Sequence, residues 1–71
     1  MAESIISNPT YNLLAILLSK LEGLEAYDAY LDDTQDDNER KLIEQIRRDD
    51  ERHAHILRET LEKKIREGGL K

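Results

Sequence analysis

Arg47-Arg48-Asp49-Asp50-Glu51-Arg52-His53-Ala54-His55-Ile56-Leu57 is the stretch on which the reading of this chain turns. Set on a helix, it continues an apolar seam of Ile43, Ile46, Leu57 and Leu61, and the same seam carries Asp50 and His53. Residues three apart on a helix project from one face, so a carboxylate and an imidazole point together towards whatever the seam packs against. Facing inward in a bundle, such a pair is half of a dinuclear metal site. Facing a basic residue instead, it forms an ion pair with a histidine beside it.

Working outward, the sequence predicts two helices and little else. The second helix runs from about residue 37 to 66. It is opened by Asp36 with Glu39 three residues on, a capping box, and closed by Gly68-Gly69. Before it, Thr34-Gln35-Asp36-Asp37 is a short polar break. The first helix runs from about residue 9 to 33, with Asn8 as its N-cap and Pro9 at the first helical position, where a missing N–H costs nothing. Leu13, Leu17, Lys20, Leu24, Tyr27 and Leu31 alternate at steps of four and three, a bundle seam that Leu14, Ile16 and Leu21 widen. Residues 1–8 form an N-terminal tail whose Ile5 and Ile6 are expected to dock on a neighbour. Residues 67–71 form a C-terminal tail.

A break this short forces the two helices antiparallel. The fold class is therefore all-α, a helical hairpin. The helices, about 37 Å and about 45 Å long at 1.5 Å per residue, each expose more apolar surface than one partner helix covers. Two hairpins can cover each other as a four-helix bundle, so a dimer or a ring of dimers is the expected unit.

Composition agrees. With 71 residues the chain is a single domain near the lower limit for burying a useful core. The absence of cysteine excludes disulfides, thiolate zinc sites and iron–sulfur clusters. Charged residues make up 38% of the chain and the net charge is −5, a balance that favours cations over nucleic acid or anionic lipid. The apolar run Leu13–Leu18 is far short of the roughly 20 residues of a bilayer span. The N-terminus lacks the pattern of a secretory signal, which leaves the cytoplasm as the default location. No triad-like grouping and no glycine-rich phosphate loop supports nucleophilic or phosphoryl chemistry.

Antiparallel pairing about residue 35 sets Leu24 against Ile46, Tyr27 against Ile43 and Lys20 against Asp50, with Leu17 beside His53. The polar members of both seams thus share one layer. One reading makes Lys20 and Asp50 an ion pair that fixes register, with His53 nearby. The other makes the layer a metal site. Asp50 and His53 come from each of two subunits, further carboxylate comes from Glu22 or Glu25, and the imidazole and carboxylate donors suit iron, manganese or zinc. Lys20 opposes the second reading, because an ammonium repels a cation. The other expectation for Glu22, Glu25, Asp28 and Asp32 is a solvated acidic face. Glu51 and His55 are expected to make a surface contact one turn apart, and Tyr27 and Tyr30 to be packing aromatics with wet hydroxyls.

Asp50-Glu51-Arg52-His53-Ala54 resembles the Glu-x-x-His-Ala signature of the ferritin-like superfamily, most closely that of rubrerythrins and short two-helix encapsulated ferritins. Gly23-Leu24-Glu25-Ala26-Tyr27, continuing to Thr34, is similar to the tyrosine-bearing part of the first ferritin-like helix, and the spacing from Tyr27 to His53 matches without a gap. The resemblance covers roughly residues 17–57. It implies a ferritin-like four-helix bundle with a di-iron carboxylate site at the subunit interface, where ferrous iron is oxidised or stored. His53 would be the ligand histidine, Asp50 would stand in the glutamate position one methylene shorter, and Tyr27 would be the nearby tyrosine. The helix 1 glutamate position falls on Lys20, and sliding helix 1 by three residues, which matches Tyr30, puts Gly23 there instead. The ending Gly68-Gly69-Leu70-Lys71 resembles the shell-targeting tails of encapsulated ferritins, which implies association with a protein shell. Two functions follow as expectations, iron or other divalent-metal handling, and a metal-free assembly module held in register by Lys20, Asp50 and His53.

Overall fold

A computed structural model describes residues 5–69. The first four residues of the expected N-terminal tail and the Leu70-Lys71 end of the expected shell-targeting tail lie outside them. The described residues form α1 (Asn8–Glu25), α2 (Tyr27–Asp32) and α3 (Asp37–Gly68), with no strand among them.

The start of α1 lies one residue earlier than the sequence predicts. Ser7 is the N-cap, with extended backbone angles, and its hydroxyl accepts from the Thr10 N–H at 3.3 Å and donates to the Thr10 hydroxyl at 2.9 Å. Asn8 and Pro9 then both fall in the first turn, where proline remains harmless. Thr10 is fully buried, and the Ser7 hydroxyl satisfies its side chain.

The expected first helix, residues 9 to 33, is interrupted once, at Ala26. Its N–H bonds to Gly23 O at 3.1 Å, the tighter three-residue pattern, and helix resumes at once with Tyr30 N–H on Ala26 O at 3.2 Å. Gly23 is the weakest helix former nearby. After the interruption Tyr27 and Leu31 are both buried against the partner helix.

The connection is as short as expected and tied at both ends. Thr34 donates its hydroxyl to Leu31 O at 2.7 Å, and Arg40 reaches back across the turn to Leu31 O at 3.3 Å and the Thr34 hydroxyl at 3.2 Å. Asp36 caps α3 by accepting from Glu39 N–H at 2.8 Å. The return bond of the capping box is displaced by one residue, because Glu39 accepts from Gln35 N–H at 2.6 Å and not from Asp36. At the far end α3 runs to Gly68 and stops at Gly69, whose φ of +75° suits a residue without a side chain.

Lys20–Asp50, Asp28–Arg47 and Leu31–Arg40 are successive cross-helix contacts with shrinking separation in sequence, which makes the chain an antiparallel hairpin. The α1 seam is the predicted one. The α3 seam is rotated. Ala54 is buried and Arg47 half-buried in the line Ile43, Arg47, Asp50, Ala54, Leu57, Leu61, whereas Ile46 is 43% exposed and His53 sits at the margin. A seam through Ala54 lets α1 approach more closely than one through an imidazole. The hairpin is a single layer, 13 Å across its thinnest axis, and among the described residues only Tyr27, Leu31, Ala54 and Leu61 are buried hydrophobic residues.

One broad side of this layer carries exposed apolar residues from both helices, set among Ser19, Lys20, Asp49 and His53. Ile16, Tyr30, Leu42, Ile46 and Ile56 lie along it, each roughly half exposed. Its middle opens into a groove lined by Ile16, Lys20, His53, Ile56 and Leu57.

Candidate functional site: the Lys20–Tyr27–Asp50 layer

Lys20 sits on the α1 seam four residues before Leu24, and Asp50 on the α3 seam four residues before Ala54, so packing the two seams brings them to one level. The Lys20 ammonium donates to Asp50 Oδ1 at 3.0 Å, as the antiparallel register predicts. The Tyr27 hydroxyl donates to Asp50 Oδ2 at 2.5 Å. This second bond is not the expected one, since simple register sets Tyr27 against Ile43 and leaves its hydroxyl wet. A tyrosine on a helix leans towards the helix N-terminus, and that lean carries the hydroxyl up to the Lys20 level. The signal was therefore in the sequence, in side-chain direction and not in residue spacing.

The electrostatics follow from this geometry. Two donors, the phenol first and the ammonium second, hold the Asp50 carboxyl below its usual range, and positive charge on His53 would act in the same sense. The Tyr27 phenol, bound to a carboxylate and removed from water, is pushed up to about 12. Both ion-pair side chains keep some water, at 31% and 23% exposure. Tyr30 adds an edge-on aromatic contact to Tyr27, with ring centroids 5.6 Å apart.

The other expected site residues are not gathered here. His53 lies one turn beyond Asp50, on the margin of the broad side, with Nε2 3.4 Å from an Arg52 guanidinium nitrogen. Leu17 lines a groove on the opposite side of the hairpin with Leu21, Leu24, Glu51, Ala54, His55 and Arg58. Glu22 and Glu25 are exposed and make no hydrogen bond or ion pair among the described residues. At about 100° per residue Glu22 points nearly opposite to Lys20, away from the layer. Glu51 and His55 form no hydrogen bond or ion pair with each other among the described residues, and Arg58 pairs with Glu62 one turn on at 2.7 Å. Sequence reasoning also missed Arg47, which enters the seam and reaches Asp28 Oδ1 at 3.3 Å.

Within one chain this donor set is not by itself a di-iron carboxylate centre. Both oxygens of Asp50, the one carboxylate in the layer among the described residues, accept a hydrogen bond, one of them from an ammonium. No group of three histidine, aspartate or glutamate side chains within the described residues comes together to hold an ion. What the layer does chemically is hold one carboxylate ionised and one phenol protonated across two helices. No helix among the described residues is long and apolar enough to cross a membrane. No protein-family model matches the chain, and no characterised protein or solved structure matches it either.

Proposed function

We propose that this chain is a metal-free assembly module, a hairpin that pairs with a second copy through its broad apolar side to complete a four-helix bundle of ferritin-like form. The observation that carries the reading is the saturation of Asp50. Its two oxygens are bound by Lys20 and Tyr27, so the layer that would hold metal is already a closed ion pair. Such a pair acts on register, since sliding either helix by a turn would strand a half-buried charge.

A second copy is the occupant that fits the broad side. A layer 13 Å thick is one helix deep, and a chain of this size buries too little to stand alone comfortably. The apolar residues lie on both antiparallel helices, so a two-fold axis sets like against like and covers the ion pair beneath. The test is the mass of the full chain in solution, with and without Ile46→Glu and Ile56→Glu. A two-chain species that the substitutions reduce to one chain is expected, and a native chain that stays monomeric would overturn the proposal.

The second reading, iron or other divalent-metal handling, is favoured by one observation. Asp50 and His53 lie a turn apart where a second copy would bring another such pair. Elemental analysis after anaerobic ferrous loading and desalting, with oxygen uptake followed in parallel, separates the two. Stoichiometric iron retained by the native chain and lost in His53→Ala would replace the metal-free reading, and no retained metal is the outcome expected here.

A further inference from the structure

Helix α1 differs from α3 in carrying large apolar residues away from its seam. From Asn8 to Ser19 it carries no charged residue. Leu13, Leu17 and Leu24 face α3, and Ile16 faces the broad side. On the side remaining, Tyr11, Leu14, Leu18 and Leu21 repeat at three, four and three residues. Of these, Leu18 is 58% exposed, and Leu14 and Leu18 line an open apolar groove of about 280 Å³ with Ile6, Tyr11 and Ala15. An apolar stripe at helical spacing normally packs against a neighbour. α3 and a copy on the broad side would enclose α1 on only two.

The charges of α1 indicate what closes the third. Its first turn holds no acid and its last turn no base. Glu22 and Glu25 instead stand near its C-terminal end, where the helix dipole disfavours them. Two α1 helices laid antiparallel and centred on Ile16 resolve both defects. Tyr11 meets Leu21, Leu14 meets Leu18, and Glu25 of one copy comes level with Ser7, the N-cap of the other.

We infer that Tyr11, Leu14, Leu18 and Leu21 form a second self-association surface, occupied by α1 of another copy in antiparallel orientation, which joins bundles into a larger assembly. The inference extends the self-association proposed above and uses a different side of the molecule. The stripe is about 15 Å long, short for a standard interface of about 800 Å² per partner. This contact is therefore the weaker one, and assembly proceeds in two steps as concentration rises.

Sedimentation equilibrium on the full chain, from low to several hundred micromolar, tests it in the native protein and in Leu18→Glu, Tyr11→Lys and Glu25→Lys, with helix content checked by circular dichroism. The native mass is expected to exceed two chains at high concentration. Leu18→Glu and Tyr11→Lys should stop at two chains with helix content retained, and Glu25→Lys should need a higher concentration for the second step. Two surface variants guard against one that fails to fold. A native mass that never exceeds two chains would overturn the second surface and leave the broad-side pairing standing. So would the native mass being reached by both Leu18→Glu and Tyr11→Lys. If Leu18→Glu yields single chains while Ile46→Glu and Ile56→Glu still pair, the α1 contact stands and the broad-side pairing falls.

Discussion

Replacing Tyr27 by phenylalanine removes one oxygen and nothing else from the core. The ring is 8% exposed and keeps its edge contact with Tyr30, so the loss isolates the hydroxyl's bond to Asp50. A hydrogen bond to a charged group contributes roughly 1.5–3 kcal/mol. Asp50 retains 23% exposure and the Lys20 ammonium, so water can partly replace the phenol, and the lower end, about 1.5 kcal/mol, applies. With a urea slope of about 1 kcal/mol/M for so small a protein, the midpoint should fall by about 1.5 M at pH 7. The assay is urea unfolding by circular dichroism at one fixed protein concentration, since self-association makes stability concentration-dependent. Its pH dependence is diagnostic. Asp50 has a folded pKa below its unfolded value of 3.8, so its contribution is complete above that value and lost as pH falls through the folded one. The native–variant difference should therefore shrink in acid. The Tyr27 phenol is raised from 10.0 to about 12, so its contribution is complete below pH 10.0 and lost as pH rises towards about 12, a decline the variant lacks. A variant within about 0.5 kcal/mol of native at pH 7, or a difference unchanged from pH 7 to pH 2, would refute the placement of that hydroxyl on Asp50.

Lys20→Met leaves Asp50 with the phenol and solvent. The stability lost between pH 7 and acid should then be smaller than in the native chain, because Asp50 is held less far below its unfolded value, and an unchanged acid loss would count against the ion pair. Asp36→Ala removes the cap on α3 and should cost about 1 kcal/mol in thermal or urea unfolding; no measurable change would mean that the Asp36–Glu39 bond does not persist in solution. Leu61→Ala, at the most buried hydrophobic position with 5% exposure, should cost about 3 kcal/mol. A cost under about 1 kcal/mol would show that the far end of the hairpin is not packed.

Much of this architecture was legible from local rules. Polar residues between two heptad-like runs marked the connection, Asp36 marked the start of α3, Gly68-Gly69 marked its end, and the antiparallel register placed Lys20 on Asp50. Boundaries slipped where competing caps were adjacent, as with Ser7 and Asn8. The α3 seam slipped because Ile46 and Ile43 look equally apolar on a helical wheel, and only close packing against α1 favours a line through Ala54.

What the sequence by itself determined is the set of helices, their antiparallel order and the charge pairing at the middle of the hairpin. These depend on periodicity, capping and spacing along one chain. Which face of α3 meets α1, that Tyr27 and not a second carboxylate completes the shell of Asp50, and that Glu22 and Glu25 point away were decided only by tertiary structure. The physical reason is that side-chain lean and interhelical distance belong to two helices at once. A rotation of α3 by less than half a turn exchanges His53 for Ala54 in the core.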